Sequence, residues 1–468
     1  MLKLLVCILK NTLIKLKMQS VLSQFIAYLE SIDLRFRDYR DLHHWSINEI
    51  GPFWESIATF FNISFSKEYT FSYKPGMDFK KAKWFSGAKI SYADHVFKQS
   101  NVDFPAIKYQ NELSEYQEIS WNALTQKTIE FQKVLIQNNV NFGDRVVAYC
   151  SNTPETIAAF LAVNSLGAIW SSCSPEFGFD AVIDRFDKLS PTFLFYNSAY
   201  YYNGKSIDVN STIEKLNDNL LSLNASLDLN NHKNFHYKFK SIQIKCRAVS
   251  FDHPIWILST SGTTGKPKAI THRTGGIILE HFKALAIHQN VKRKENYFWY
   301  STTGWMMWNF ALSSLLLGST LCIYNGSPNY PNNGTLWRFA DRANINHFGH
   351  GASYYEGILE KLPEELLNYD LNSLITIGST GSPLYPKIHQ ELDKIFPHQK
   401  IISVSGGTDI CSAFIGGNPD LEIIPGEIQC KMLGAAVEVW DDRGKKLLNK
   451  MGELVLTKPL PSMPVFFW

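Results

Sequence analysis

The alternation of helix and strand between Ile119 and Pro175 is the feature that most constrains the fold of this chain. The segment reads ISWNALTQKTIEFQKVLIQNNVNFGDRVVAYCSNTPETIAAFLAVNSLGAIWSSCSP. A helix precedes Gly143, the strand RVVAYC follows it, and a second helix begins near Thr153, before the strand GAIWSS. Strands that alternate with helices of this length form parallel βαβ units. The fold class is therefore α/β.

The rest of the chain adds further units to this fold. Residues 18–100 are rich in aromatic residues and helical in period, and a second βαβ region is predicted from Trp256 to about Phe396. Short β runs after Ser403 predict a small barrel-like or twisted-sheet subdomain. The Asn-rich stretch 210–234 predicts a surface insertion or loop. The predicted division is an extension (1–17), a helical segment (18–100), a region of two βαβ subdomains (101–402) and a β subdomain (403–468).

Composition excludes several classes of protein. The 468 residues carry a formal net charge of +3, which argues against nucleic-acid binding as the main function and leaves room for an anionic small ligand. The seven cysteines form no Cys-x-x-Cys pair, so reduced thiols in a cytoplasmic protein are expected. The apolar run from Leu4 to Leu9 is too short to span a membrane. Residues 1–17 predict a non-essential extension with Met18 as an alternative start; a targeting peptide is the other interpretation.

A loop rich in Ser, Thr, Gly and Lys follows the apolar strand IWIL and is the strongest candidate for a binding site. Such a loop would stand at the carboxyl end of a strand, where open α/β sheets bind ligands. Glycines let main-chain N–H groups approach a ligand closely, and hydroxyl and ammonium groups add donors for phosphate oxygens. The P-loop spacing is absent, and a flexible loop without a ligand is the alternative. The candidate residues are Thr260, Ser261, Gly262, Thr263, Thr264, Gly265, Lys266 and Lys268.

This loop resembles the phosphate-binding signature of the adenylate-forming (AMP-binding) enzymes, a superfamily that includes the acyl-CoA synthetases. GSTGSPL, from Gly378 to Leu384, resembles the segment that packs along adenine, and SVSGGTDICSAF resembles a motif that ends in Thr-Glu. The resemblance implies catalytic roles for Thr408, facing the α-phosphate, and for Lys268. It also implies that Asp409 takes the place of the usual Glu as a ligand of Mg²⁺; taken alone, Asp409 equally suits a turn or an N-cap. The other implied ATP contacts are Gly381, Ser382, Pro383, Gly406 and Gly407.

Three further segments, WFSGAKISYADHVF, YSTTGWMMWNFALSSLLLGST and FGHGASYY, are similar to the acetoacetate–CoA ligases of this superfamily. The resemblance implies that an acid and ATP form an acyl-adenylate, from which the thiol of CoA displaces AMP. The implied acyl pocket contains Thr303, Trp305, Met306 and Gly406, although the bulky residues also suit an apolar core. Acetyl-CoA synthetases carry Trp at the position of Gly406, so glycine leaves room for a longer chain. Acetoacetate fits this room, and so do butyrate and other short acids.

The end of the sequence departs from the family pattern. After a region like PSMPVFFW, the family continues with a Gly-Asp motif and a small mobile C-terminal domain whose Lys completes the site. We therefore expect a large N-terminal domain with the mobile domain absent, which alone would be a poor or inactive ligase. A separately encoded C-terminal domain is a candidate partner, and a non-catalytic nucleotide- or acyl-binding remnant is the alternative. A nucleotide hydrolase or a serine hydrolase has less support, because no Walker pattern and no G-x-S-x-G elbow occurs.

Overall fold

Two seven-stranded sheets organise the computed structural model, which describes residues 19–76, 78, 81–234, 243–260 and 267–468. In the first sheet, five neighbouring strands are parallel and the last two are each antiparallel to the strand before. Its strands, in spatial order, are Ala225–Asp228, Phe193–Tyr196, Arg145–Tyr149, Ile169–Cys173, Pro254–Ser259, Ala269–Arg273 and Phe466–Phe467.

The second sheet has six parallel strands and one antiparallel edge strand. Its spatial order is Lys400–Ser403, Thr376–Thr380, His347–Gly351, Asn296–Trp299, Thr320–Asn325, Ile107–Asn111 and Tyr116–Ile119. Parallel strands need helical crossovers, which cover both faces of a sheet. The α/β fold class is confirmed.

Local sequence signals explain where the helices begin and end. Thr153 caps the helix Pro154–Leu166 by accepting from the Thr156 main-chain N–H (3.4 Å), and Gly167 ends it in the left-handed region (φ 73°). The predicted helix start near Thr153 is confirmed. The α-helices of the described residues are Val21–Ser31, Tyr39–Asn48, Ile50–Phe60, Tyr92–Phe97, Trp121–Gln137, Pro154–Leu166, Phe179–Phe186, Asn210–Asn219, Thr274–Phe282, Met306–Leu312, Thr335–Ala343, Ala352–Glu360 and Pro386–Ile395.

The structure also contains a π-helix, short 3₁₀-helices and two-stranded ladders. The helix Thr274–Phe282 continues as the π-helix Lys283–His288. The 3₁₀-helices are Asp187–Leu189, Leu229–His232, Ser313–Leu317 and Glu364–Asn368, and the two-stranded ladders pair Tyr73–Lys74 with Lys83–Trp84, Lys89–Ile90 with Val249–Ser250, and Ala199–Tyr202 with Lys205–Asp208. Within the described part of the chain, no helix combines the length and the apolar character needed to cross a membrane.

The predicted start of the second βαβ region, at Trp256, is wrong. The strand Pro254–Ser259 belongs to the first sheet, where Trp256 pairs in parallel with Trp170. The second sheet instead takes Asn296–Trp299 as a central strand and recruits Ile107–Asn111 from much earlier in the chain. An apolar run identifies a buried strand, but it does not say which sheet the strand joins.

The stretch 210–234, predicted to be a surface insertion or loop, instead forms a helix and a strand of the first sheet. It forms the helix Asn210–Asn219 and the edge strand Ala225–Asp228 of the first sheet. Ile213 and Leu216 of the helix are buried. Their spacing of three residues places them on one helical face, and this signal outweighs the many asparagines around them.

The predicted short strands after Ser403 are confirmed, and they form two antiparallel three-stranded sheets in the described part of the chain. One contains Ser405–Gly407, Ser412–Gly416 and Cys430–Lys431, and the other contains Lys446–Leu447, Val437–Trp440 and Glu453–Leu456. The final strand, Phe466–Phe467, does not join them: it pairs with Ala269–Arg273 of the first sheet. This pairing covers a backbone edge that would otherwise be open.

Candidate active site

A cavity of about 430 Å³ lies at the carboxyl ends of two neighbouring strands of the second sheet, Thr376–Thr380 and Lys400–Ser403. This is the edge at which open α/β sheets bind ligands, and the volume suits a small molecule. Segments that are far apart in the sequence meet in its wall. The predicted site residues that line it are Trp305, Met306, Gly381, Ser382, Pro383, Gly406, Gly407 and Thr408.

A tight hairpin carries the glycines and the threonine of the predicted phosphate motif. Ser405–Gly407 pairs with Ser412–Gly416, and the register shifts between Ser405 and Gly406. A Cβ at Gly406 would overlap the Ser412 carbonyl group, whereas a Cβ at Gly407 would meet nothing within 4 Å. Close backbone approach therefore requires glycine at position 406. The space gained in the cavity by having no Trp at this position is therefore only part of the reason for the glycine.

His272 fixes the turn that presents Thr408 and Asp409. Its Nε2–H donates to the main-chain carbonyl of Asp409 (3.1 Å). Burial lowers the pKa of His272 to about 4, so the ring stays neutral near pH 7. The Cys411 N–H donates to the Thr408 carbonyl (3.2 Å) and closes the turn.

Two more buried histidines form hydrogen bonds with the hairpin and with residues next to it. His281 donates from Nε2 to the Cys411 carbonyl (2.7 Å), and its Nδ1 accepts from the Ser313 hydroxyl (2.6 Å). His288 donates from Nδ1 to the Gly417 carbonyl (2.9 Å) and accepts at Nε2 from the Leu433 N–H (3.1 Å). Burial lowers the pKa of both rings to about 3. Neutral imidazoles thus connect the hairpin region to the helix Thr274–Phe282 and its π-helical continuation.

A buried ion pair supports the hairpin at a further point. Glu280 and Lys283 are both fully buried and lie 2.9 Å apart. Ser412, which lines the cavity, donates its hydroxyl to Glu280 Oε1 (2.7 Å). Sequence reasoning missed these groups and the three histidines. Their signal was a set of polar residues, His272 to His288, within an otherwise apolar helical run.

The predicted phosphate loop is described only at its base. Thr260 donates its main-chain N–H to the Lys268 carbonyl (3.2 Å), and Lys268 is exposed. Neither residue lines the cavity. The remaining predicted residues, Ser261, Gly262, Thr263, Thr264, Gly265 and Lys266, lie outside the described residues.

Thr303 does not line the cavity, in contrast to the predicted acyl pocket. Its side chain is 2% exposed, and its hydroxyl donates to the Cys150 carbonyl (2.6 Å). Met307 takes a place in the cavity wall beside Trp305 and Met306. Trp308 instead packs in the core and donates from Nε1 to Asn152 Oδ1 (3.0 Å).

The predicted Mg²⁺ ligand, Asp409, lies beside the cavity. It is exposed, and it directly follows the cavity-lining Thr408. The described ranges contain no group of three or more His, Cys, Asp or Glu residues that could hold a metal by themselves. Mg²⁺ commonly binds through one or two carboxylates together with substrate phosphates and water. The donor set therefore fits Mg²⁺ that arrives with the nucleotide.

Comparison with known proteins agrees with this arrangement. Residues 94–463 match the AMP-binding enzyme family. Acetoacetyl-coenzyme A synthetase from Rhizobium meliloti (strain 1021) is 35% identical over 466 residues, which cover 96% of this chain and 71% of that protein. Acetoacetyl-CoA synthetase from Gallus gallus is 34% identical over 469 residues, with 94% and 70% covered.

A solved structure, acetoacetyl-CoA synthetase from Streptomyces lividans, superposes with a TM-score of 0.91 at 35% identity, and covers 96% of this chain and 72% of that one. The family is described as AMP-binding and the names of these relatives contain coenzyme A, in keeping with the predicted nucleotide and CoA. The match to the family extends over most of the chain and includes every cavity-lining motif described above. The chain therefore belongs to the AMP-binding enzyme family and is an acid–thiol ligase.

Proposed function

We propose that this chain activates acetoacetate as an acyl-adenylate with ATP and transfers the acyl group to CoA. The observation that carries the proposal is the single cavity in which Met306, Gly381 and Thr408 meet. These residues belong to the acyl, adenine and phosphate motifs of the sequence. Their convergence supplies one place where an acid carboxylate and the α-phosphate of ATP can react.

Positioning is the main contribution of the protein to this chemistry. The acid carboxylate attacks the α-phosphorus and pyrophosphate leaves, while Thr408 donates its hydroxyl to an α-phosphate oxygen. The neutral rings of His272 and His281 hold the turn around Thr408 in place before the substrates bind. Donors that are preorganised around developing charge are usually the largest source of rate enhancement.

The predicted charged groups have matching roles in this proposal. Asp409 would hold Mg²⁺ together with phosphate oxygens, and the ion when bound neutralises charge on the phosphates. Thr260, Lys268 and the loop between them are proposed to contact the phosphate oxygens that leave as pyrophosphate. The exposed ammonium group of Lys268 is free of the core and suits such a contact.

The acyl side of the cavity favours a short acid. Met306, Met307 and Phe310 give it an apolar wall, and Gly406 adds no side chain. Butyrate or another short acid is the second candidate, because an apolar wall favours these acids as well. The names of the relatives favour acetoacetate. The comparisons give no support to impaired activity, to a non-catalytic remnant or to a separate partner domain, and the proposal includes none of them.

The test is thioester formation by the purified chain with ATP, Mg²⁺ and CoA, using acetoacetate, butyrate and acetate in parallel. Mass spectrometry identifies the thioester, and release of AMP is measured in the same samples. The proposal predicts acetoacetyl-CoA, with the highest kcat/KM for acetoacetate. Faster use of butyrate would move the assignment to the second candidate. AMP release without any acid would contradict a ligase.

A further inference from the structure

A π-helical turn shapes one wall of the cavity. Lys283–His288 is a π-helix, closed by a hydrogen bond from the Gln289 N–H to the Ala284 carbonyl (3.1 Å). The wider turn brings Ala284, His288 and Gln289 to the cavity together. Single π-turns are uncommon and occur frequently at functional sites. The side chains that this turn presents are therefore candidates for contact with the substrate.

The carboxamide of Gln289 is held in one orientation. Gln289 is 5% exposed, and its Oε1 accepts from the Tyr297 hydroxyl (2.8 Å). Tyr297 is 1% exposed, and among the described residues its hydroxyl makes no other hydrogen bond. A buried hydroxyl needs an acceptor, so Oε1 must face Tyr297. The NH₂ group of Gln289 is consequently turned away from Tyr297.

This NH₂ group has no acceptor among the described residues, although Gln289 lines the cavity. Its neighbour His288 cannot replace it, because both ring nitrogens of His288 are used by main-chain groups. The other lining residues of the π-turn and of the helix Met306–Leu312 are Ala284, Met306, Met307 and Phe310. Apart from the indole N–H of Trp305 at the start of that helix, Gln289 supplies the free donor on this otherwise apolar wall of the described structure.

We infer that Gln289 is a specificity-determining residue, whose Nε2–H donates to an oxygen on the third carbon of the acid. This inference rests on the proposed function, because it places the acyl chain against the π-turn. A 3-oxo acid offers an acceptor at that carbon, whereas butyrate, of the same length, offers only CH₂. Bound butyrate would cover the NH₂ group without offering it an acceptor, which disfavours that substrate. Tyr297 acts as a positioning residue that keeps the amide from flipping.

The first test compares Gln289→Met with the wild type in ATP–pyrophosphate exchange, using acetoacetate and butyrate. Methionine keeps the length of the side chain and removes the donor. We expect kcat/KM for acetoacetate to fall roughly 10- to 100-fold and that for butyrate to change less than about threefold. Tyr297→Phe should lower the ratio of acetoacetate to butyrate by a smaller factor. Gln110→Met is the matched control, since Gln110 is buried (4% exposed) but does not line the cavity.

The second test measures binding, so that the result does not depend on turnover or on full stability of the variant. Acylsulfamoyl adenosines that carry 3-oxobutyryl or butyryl chains are titrated into each protein. Support is a wild-type preference for the 3-oxobutyryl compound of about tenfold or more that Gln289→Met abolishes. The inference is overturned if the variant keeps that preference, or if affinity for both compounds falls equally. Failure of the wild type to bind either compound would instead overturn the proposed function, and this inference with it.

Discussion

Lys283 Nζ lies 2.9 Å from the carboxylate of Glu280, and both side chains are fully buried beneath the hairpin that lines the cavity. Desolvation by burial lowers the pKa of Lys283 and raises that of Glu280, while their mutual attraction opposes both shifts. Each group is therefore tolerated in the core because of the other. The Ser412 hydroxyl completes the arrangement by donating to the same carboxylate.

Removing one member of the Glu280–Lys283 pair should lower the free energy of unfolding much more than removing both. Lys283→Met leaves a buried carboxylate without its cation, and the free energy of unfolding should fall by about 3–5 kcal/mol. Combining Lys283→Met with Glu280→Leu should recover most of this loss. Urea unfolding measures both. Lys394→Met breaks the exposed pair with Glu391 (2.7 Å) and should cost less than about 1 kcal/mol; an equal cost at the two pairs would contradict the account.

Acid should destabilise the fold through the three buried histidines. The pKa values of His272, His281 and His288 in the folded state, about 4, 3 and 3, lie below the value of about 6.5 in an unfolded chain. Their contribution is complete above about pH 6.5 and is lost as the pH falls toward 4 for His272 and toward 3 for His281 and His288, because the unfolded chain then binds more protons. Each histidine contributes a slope of up to about 1.4 kcal/mol per pH unit.

The corresponding measurement is urea unfolding at intervals between pH 5 and pH 7. His281→Gln should reduce the slope of unfolding free energy against pH by roughly one proton, apart from its effect on stability itself. The same substitution at His398, which is exposed, is the matched control. An unchanged slope in His281→Gln would show that this ring does not stay neutral in the folded protein.

Adjacent glycines in the hairpin should respond differently to the same substitution. In Gly406→Ala the new methyl group meets the backbone of Ser412 and Ala413, so the two strands must separate. We expect a loss of about 1–3 kcal/mol in unfolding free energy, as for other overpacked sites. Gly407→Ala has open space around its methyl group and should change stability by less than about 0.5 kcal/mol. Similar melting temperatures for the two variants would disprove the close approach at Gly406.

Removal of the Asp409 carboxylate should change the requirement for Mg²⁺. Asp409→Asn keeps the size of the side chain and removes its charge, so more Mg²⁺ should be needed for half-maximal pyrophosphate exchange. The maximal rate should fall by roughly 10²-fold, the usual scale for one lost group at developing charge. Asp442→Asn, in an exposed turn, is the control. A Mg²⁺ dependence identical to that of the wild type would remove Asp409 from the proposed metal contact.

The sequence predicted the cavity better than it predicted the surroundings that hold it. The motifs at Gly381–Pro383 and Gly406–Thr408 follow neighbouring parallel strands, so their meeting was implied by the motif resemblance. The alternating pattern around Gly143 likewise gave the correct α/β class. These features are local in sequence, or belong to motifs whose order along the chain is fixed.

The supporting contacts were beyond sequence reasoning because they join distant residues. His281 contacts Cys411, which lies 130 positions further along the chain, and no local sequence pattern around either residue predicts this contact. Residues 210–234 were misread because their composition suggested a loop while Ile213 and Leu216 marked a helix. Thr303 was assigned by its neighbours Trp305 and Met306, yet its hydroxyl faces Cys150 in the core.

Adenylation at this cavity is best tested by acid-dependent ATP–pyrophosphate exchange by the purified chain, with acetoacetate and acetate compared at equal concentration. Exchange isolates the adenylation step, which is the chemistry assigned to the cavity around Thr408. We predict exchange that requires both Mg²⁺ and acetoacetate, with a clearly lower rate for acetate. Binding of Mg-ATP without exchange for either acid would show that the cavity does not carry out adenylation.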